Sequence, residues 1–298
     1  MTDIIGRYAP SPTGDLHFGS LVAALASYCH AKARGGLWRL RIDDLDTPRV
    51  VPGSAERIVE TLYAFGLKPD GPIMSQSRRG PAYDAAIAQL KRQGNAFDCG
   101  CTRREARQGP PGDEGPIYPG TCRDGLPAGR EPRSIRCRVD DRSIRLVDAV
   151  QGPVAQSLGR AVGDFVIRRA DGITAYQLAT VVDDAAQGIT EVVRGVDLLT
   201  SSPRQRWLQQ CLALPTTAYL HVPIIVDDRG EKLGKSTGAL ALDRRRKREL
   251  TWHGLALLGH RPPVTPEARS TSWLLDWALA HWCVERIPQK SAVSLNAV

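Results

Sequence analysis

No stretch of this chain approaches the run of apolar residues needed to cross a bilayer, and its opening, MTDIIGRYAP, lacks the charged and apolar regions of a secretory signal. Those absences exclude a membrane-spanning helix and point to a cytoplasmic protein with no membrane partner. Cysteine is sparse and odd in number: seven residues in 298, of which Cys29, Cys137, Cys211 and Cys283 stand singly in apolar or mixed segments. A disulfide framework does not fit that distribution, whereas reduced thiols do. Acidic residues fall short of basic ones, 32 against 40, leaving a net charge of +8. That balance suits a polyanionic partner, either nucleic acid or a phosphorylated ligand. The length allows about two domains of ordinary size, each with its own apolar core.

What is present begins at the N-terminus. DIIGRYA is a short, partly apolar run closed by Pro10 and Pro12, the pattern of a buried strand entering a loop. Leu21, Ala24, Leu25 and Tyr28 follow at helical spacing and give way to Gly35 and Gly36, a glycine stop signal. LWRLRIDDLD then reads as a second strand running into an acidic turn. Strand, helix and strand in about forty residues make a βαβ unit, whose ligand sits at the carboxyl ends of the strands. The helix entrance SPTGDLHFGSL lies at that end. Its unpaired amides and positive pole attract phosphate, Gly14 and Gly19 permit close backbone approach, and His17 can donate to a phosphate oxygen. A capped helix with a surface histidine fits the same residues.

A second segment, HVPIIVDDRGEKLGKSTGAL from His221, reads as one short apolar strand, a turn, and a loop carrying Lys232, Leu233, Gly234, Lys235 and Ser236. Two lysines beside a glycine can fold over a triphosphate and meet the charge that grows at the transferring phosphorus. With both segments in this order, the chain resembles the class I aminoacyl-tRNA synthetases, in their glutamyl branch. RYAPSPTGDLHFGSL is similar to that branch's nucleotide signature, with His17, Phe18, Gly19 and Ser20 at its core. KLGKS is similar to the second signature, and residues 163–199, GDFVIRRADGITAYQLATVVDDAAQGITEVVRGVDLL, to the middle segment. The resemblance implies an α/β fold: a Rossmann-like class I catalytic core with a parallel sheet and helices on both faces, a zinc-containing insertion and a short helical C-terminal segment. It also implies catalytic roles for His17, Lys232 and Lys235. ATP, accompanied by Mg2+, would then be held by His17, Gly19, Ser20, Lys232, Leu233, Gly234, Lys235 and Ser236.

Glutamate carries two carboxylates and an ammonium, so its pocket needs cations and an anion. Arg7 and Arg194 can each bind a carboxylate by a two-pronged contact, and Asp43 can pair with the ammonium. The resemblance assigns L-glutamate binding to Arg7, Ala9, Ser11, Asp43, Tyr176 and Arg194. Two positions depart from the family's usual pattern. Asp43 stands where Glu is commoner, one methylene short, and Gly234 stands where Ser is usual.

The segment DCGCTRREARQGPPGDEGPIYPGTCRD places Cys99, Cys101 and Cys122 together, three soft ligands for an ion that usually takes four. The resemblance supplies Tyr118 as the fourth, four residues before the last cysteine; Cys137 in IRCRV is the alternative from ligand chemistry. A bound zinc, one per chain, would hold an insertion too small to fold on an apolar core. Thr102 to Glu105 has the pattern of a capping box opening a helix.

These readings divide the chain into residues 1–96, the first half of the nucleotide-binding catalytic fold; 97–160, the zinc-containing insertion; 161–240, the second half with the KLGKS loop; and 241–298, a short helical closing segment without an anticodon-binding domain. DRRRKREL from Asp243 is a solvated basic face or an RNA backbone contact. WHGLALLGHRPP and SWLLDWALAHW are helical, with Trp273, Leu274 and Trp277 on one core-facing side. A chain that keeps the activation signatures and closes about sixty residues later, as counted along the sequence, is similar to the short members of the glutamyl branch. The expectation is an enzyme, acting as a monomer, that activates glutamate and passes it to the queuosine base in the anticodon of tRNA(Asp). An ordinary glutamyl-tRNA synthetase charging the 3′ end, a non-catalytic RNA-binding relative and a nucleotidyl transferase are the competing readings.

Overall fold

The computed structural model describes residues 4–233, 241–265 and 270–297. Near the N-terminus, β1 (Ile5–Tyr8) and β2 (Leu37–Ile42) pair in parallel, joined by α1 (Phe18–Lys32). After α2 (Ser54–Ala64), β3 (Met74–Ser75) completes a sheet of order β1-β2-β3. The helix starts where His17 caps it, the imidazole Nδ1 accepting from the Ser20 N–H at 3.3 Å. It buries Leu21, Ala24, Leu25 and Cys29, which recur at three- and four-residue spacing. Gly36 lets the chain turn back onto the sheet: a Cβ there would lie 2.4 Å from the carbonyl oxygen of Ile4. Trp38 is fully buried beneath α1, and its indole N–H donates to Ser27 Oγ at 3.0 Å, so its one polar atom is satisfied inside the core.

Next come α3 (Gly80–Arg92), β4 (Ala96–Cys99), a small hairpin of β5 (Pro111–Gly112) and β6 (Gly115–Pro116), and β7 (Ser134–Cys137). The hairpin of β8 (Ser143–Asp148) and β9 (Gly152–Ser157) precedes α4 (Leu158–Ala161) and β10 (Phe165–Arg168). β10, β7 and β4 form an antiparallel sheet. α5 (Tyr176–Ala186), β11 (Glu191–Gly195), α6 (Ser201–Cys211) and β12 (Ala218–Val222) follow, and the order of the last large sheet is β11-β12-β8-β9. β8 and β9 therefore join the sheet of β11 and β12, while β10 joins the sheet that carries Cys99, so sheet membership interleaves across residue 160. β11 lies beside β1, held by the Thr190 N–H donating to Ile5 O at 2.9 Å.

The run HVPIIV is two strands rather than the one its composition suggests. Pro223 has no N–H to continue the ladder, and β13 (Ile224–Val226) leaves the sheet of β12 to pair with β14 (Ala292–Ser294). The capping box at Thr102 forms, with Thr102 N–H donating to Glu105 Oε2 at 2.8 Å and Glu105 N–H to Thr102 Oγ1 at 3.3 Å. It opens only a 3-10 turn over Glu105–Arg107. α7 (Lys247–Leu257) packs on α1 and α8 (Thr271–His281) on both; Leu274 is buried, with Trp273 and Trp277 half-buried around it. Among the described residues no helix is long and apolar enough to cross a membrane.

One residue measures how much α1 matters. Leu25 is fully buried between the sheet and α7, where the absence of a side chain at Gly254 makes room for its Cδ1. Leu25→Ala is expected to lower unfolding free energy by about 2–5 kcal/mol through lost burial and the cavity left behind, read from urea denaturation midpoints.

Candidate active site and metal cluster

The carboxyl ends of β1 and β11, the start of α1 and the segment after β13 surround a cleft of about 650 Å³. Parallel strands put these ends on one side because each crossover returns the chain to the same edge. Arg7, Ala9 and Ser11 line it from β1 and the loop beyond, and His17, Gly19 and Ser20 from the helix entrance. Tyr176, Arg194, Lys232 and Leu233 complete the wall opposite in sequence. Lys232 Nζ meets Asp197 Oδ2 at 2.5 Å. A Cβ at Gly19 would meet the His17 ring at 3.2 Å, so a larger residue there would require the ring to shift by a few tenths of an ångström. Gly234, Lys235 and Ser236 lie outside the described residues.

Asp43 is the exception. It does not line the cleft; its Oδ1 accepts from Arg41 Nε at 2.7 Å. Burial raises its pKa above the ordinary carboxylate range, although Arg41 works the other way. One of its two carboxylate oxygens is thus bonded to Arg41.

The two cleft arginines differ in how their charge is balanced. Arg7 is buried and pairs through Nε with Asp184 Oδ1 at 3.2 Å. Asp184 is also bonded by Arg41 Nη1 at 2.5 Å. Burial works against ionising Asp184, but Arg7 and Arg41 outweigh it and hold the carboxyl below its ordinary range. Two guanidiniums and the carboxylates of Asp43 and Asp184 thus share one interior network. Arg194 is also buried, yet no carboxylate bonds to it among the described residues. Nε donates to His221 Nε2 at 3.0 Å. Nη1 donates to Tyr176 Oη at 3.3 Å and Gln205 Oε1 at 2.9 Å. Nη2 donates to the Leu198 carbonyl at 3.2 Å and Ser202 Oγ at 2.8 Å. The guanidinium is held rigidly by neutral acceptors, which leaves its charge to act on whatever enters the cleft.

Sequence reasoning passed over Arg41, Asp148, Asp184 and His221. A signal for Asp184 was available: TVVDDAA sets two acids in an otherwise apolar helical stretch, where a charge is tolerated only with a cationic partner.

At the end of β4, the sulfurs of Cys99, Cys101 and Cys122 lie within 4.8 Å of one another, all buried. Cys101 Sγ is 3.7 Å from Cys122 Sγ, close to the edge of a tetrahedron with metal–sulfur bonds of about 2.3 Å. Tyr118 Oη lies 3.4 Å from Cys99 Sγ and 3.5 Å from Cys101 Sγ, and accepts the Cys122 N–H at 2.8 Å. Cys137 is elsewhere, its thiol donating to the Arg138 carbonyl at 3.6 Å within a different apolar cluster. Arg136 stacks its guanidinium 3.9 Å over the Tyr118 ring and donates to Cys99 Sγ at 3.4 Å. Burial opposes ionisation of Cys99, but the contacts from Tyr118 and Arg136 prevail and bring it down to about 7. A buried, three-thiol, one-phenol group with cations beside it is suited to a soft divalent metal.

Comparison with known proteins agrees with this geometry. The family described as "tRNA synthetases class I (E and Q), catalytic domain" matches residues 3–268. A protein of Thiobacillus denitrificans named glutamyl-Q tRNA(Asp) synthetase is 51% identical over 294 residues, covering 98% of each chain. One of the same name from Pseudomonas aeruginosa is 52% identical over 285 residues, covering 96% of this chain and 95% of its own. Among solved structures, a glutamate tRNA ligase from Elizabethkingia meningosepticum, in complex with its amino acid, superposes with a TM-score of 0.80 at 27% identity. That match covers 99% of this chain and 67% of the other.

The interior ion network yields a direct test. Asp184→Ala leaves Arg7 and Arg41 without their shared carboxylate, and is expected to cost about 3–5 kcal/mol in urea unfolding. A loss under about 1 kcal/mol would mean the network is not needed to bury the two cations.

Proposed function

The chain belongs to the class I tRNA synthetases for glutamate and glutamine, and from that premise we propose that it activates L-glutamate with ATP and transfers the glutamyl group to the queuosine base in the anticodon of tRNA(Asp). The observation that carries the first half is Arg194: a buried cation with only neutral acceptors among the described residues, in the same cleft as a helix N-terminus. Such a cleft favours an anionic amino acid beside a polyphosphate. The second half is supported by full-length relatives bearing the name glutamyl-Q tRNA(Asp) synthetase.

In this reading Arg7, Ala9, Ser11, Asp43, Tyr176 and Arg194 hold glutamate, with Asp43 meeting the ammonium through a water and bonded on its other side to Arg41. The start of α1, with His17, Gly19 and Ser20, receives the ATP phosphates. Lys232 and Leu233 cover them, joined by Gly234, Lys235 and Ser236. An oxygen of the glutamate α-carboxylate forms a bond to the α-phosphorus as the bond to pyrophosphate breaks. No proton moves, because the carboxylate is already ionised, and the lysines and the Mg2+ that accompanies ATP offset the charge on the departing pyrophosphate. A hydroxyl of the queuosine base then attacks the activated carbonyl. The ester forms, AMP leaves, and the hydroxyl proton is released.

Cys99, Cys101, Cys122 and Tyr118 are proposed to hold one Zn2+, which would anchor the segment between β4 and β7. Elemental analysis is expected to find about one zinc per chain, falling to near zero in Cys101→Ser. Folded wild-type protein free of metal would refute the assignment.

The acceptor is tested by incubating the protein with radiolabelled glutamate, ATP and magnesium and either of two tRNA pools, one containing queuosine and one lacking it. Label confined to the queuosine pool is the expected result. Equal label on both pools would mean 3′ charging and would overturn the acceptor assignment.

A further inference from the structure

Three adjacent parallel strands each carry, at or next to the carboxyl end, a polar residue that the activation chemistry does not use directly, apart from Arg194 itself. β11 and β12 pair in a register that sets Arg194 opposite His221, and β12 meets β8 at Tyr219 and Asp148. The result is a line of buried groups running across the three strands to the cleft. Asp148 and His221 are 2% and 0% exposed. Asp148 Oδ2 is 2.6 Å from His221 Nδ1, and His221 Nε2 accepts from Arg194 Nε at 3.0 Å.

The hydrogen bonds determine the imidazole's tautomer. Asp148 is ionised: burial opposes this, but His221 and surrounding N–H donors hold its pKa below the ordinary range. An ionised carboxylate has no proton to give, so Nδ1 carries the hydrogen and Nε2 presents its lone pair to Arg194. A second proton on the ring would set N–H against N–H and one cation beside another. Burial, together with Arg194 and Arg7, keeps that form away and lowers the pKa of His221 despite Asp148.

We infer that Asp148 and His221 are positioning residues for Arg194, fixing its guanidinium in the cleft wall so that its charge selects an anionic amino acid. The inference rests on the reading of the cleft as a glutamate site. It explains why Asp148 reaches Arg194 only through an imidazole. A carboxylate bonded directly to Arg194 would compete with the substrate for its charge, whereas a neutral imidazole orients the guanidinium without neutralising it.

Asp148→Asn tests this with little change of volume. Oδ1 accepts the backbone N–H groups of Val150, Gln151 and His221 at 3.0, 2.8 and 3.1 Å. Those three donors fix the amide oxygen at that position, so the new NH2 faces His221 Nδ1. The ring must then carry its hydrogen on Nε2, aimed at the Arg194 N–H. His221→Gln replaces the ring with an acceptor that needs no tautomer, so Asp148→Asn in the H221Q background has nothing left to invert.

The measurement is glutamate-dependent exchange of pyrophosphate into ATP by the wild type, D148N, H221Q and the double variant, with melting temperatures taken alongside. D148N is expected to raise the glutamate KM by about 10-fold to 100-fold, with kcat and the ATP KM changed less than about threefold. H221Q should lose less, and the double variant should match H221Q. Absence of exchange in the wild type would overturn the glutamate reading itself. With the wild type active, an unchanged D148N, equal rises in both KM values, or the same D148N penalty in the H221Q background would overturn the positioning role alone. Should D148N not fold, H221Q against His221→Leu decides: the inference requires a glutamate KM at least about tenfold higher in H221L, and equal values overturn it.

Discussion

Asp184 is the charge that allows two arginines to lie inside this protein. It stands on α5, receives Arg7 from β1 and Arg41 from β2, and so ties a crossover helix to two neighbouring strands. Removing three or four ionised groups from water is costly, and the arrangement tolerates it because each cation meets a carboxylate at bonding distance. One consequence is positional. Arg7 is fixed at the carboxyl end of β1, where the cleft opens, and Asp43 is bonded to Arg41.

Against that neutralised network, Arg194 stands out as a cation bonded, among the described residues, only to neutral acceptors. Two arginines that look equivalent in the sequence therefore do different electrostatic work. Arg7 contributes donors within a balanced group, while Arg194 contributes net positive potential. A site for an anionic amino acid beside a nucleotide needs both, since donors confer geometry and unbalanced charge confers preference for an anion. The metal cluster follows a related rule. Its thiols and phenol are buried with Arg136 close by, so the negative charge that metal ligation concentrates there has a cation at hand.

Much of this was legible in the sequence because it rests on local pattern. The βαβ unit, the cap at His17, the glycine stop and the grouping of Cys99, Cys101 and Cys122 depend on residues close together in the chain, whose spacing records their geometry. Pro223 could have warned that HVPIIV breaks into two strands, since a missing N–H interrupts any ladder. Tyr118 rather than Cys137 beside the three thiols was open from composition alone, because β7 carries Cys137 into another apolar cluster.

Residue type and spacing by themselves determined which groups could bind phosphate, carboxylate or metal, because those capacities belong to side-chain chemistry and to helix ends. Which charges are neutralised, and which remain to act on a ligand, was decided only by the tertiary structure. Asp184 meets Arg7 across 177 residues of chain, and His221 meets Asp148 across 73. The first depends on how a helix packs on a strand, and the second on strand order and register, where a one-residue shift would send each side chain to the opposite face.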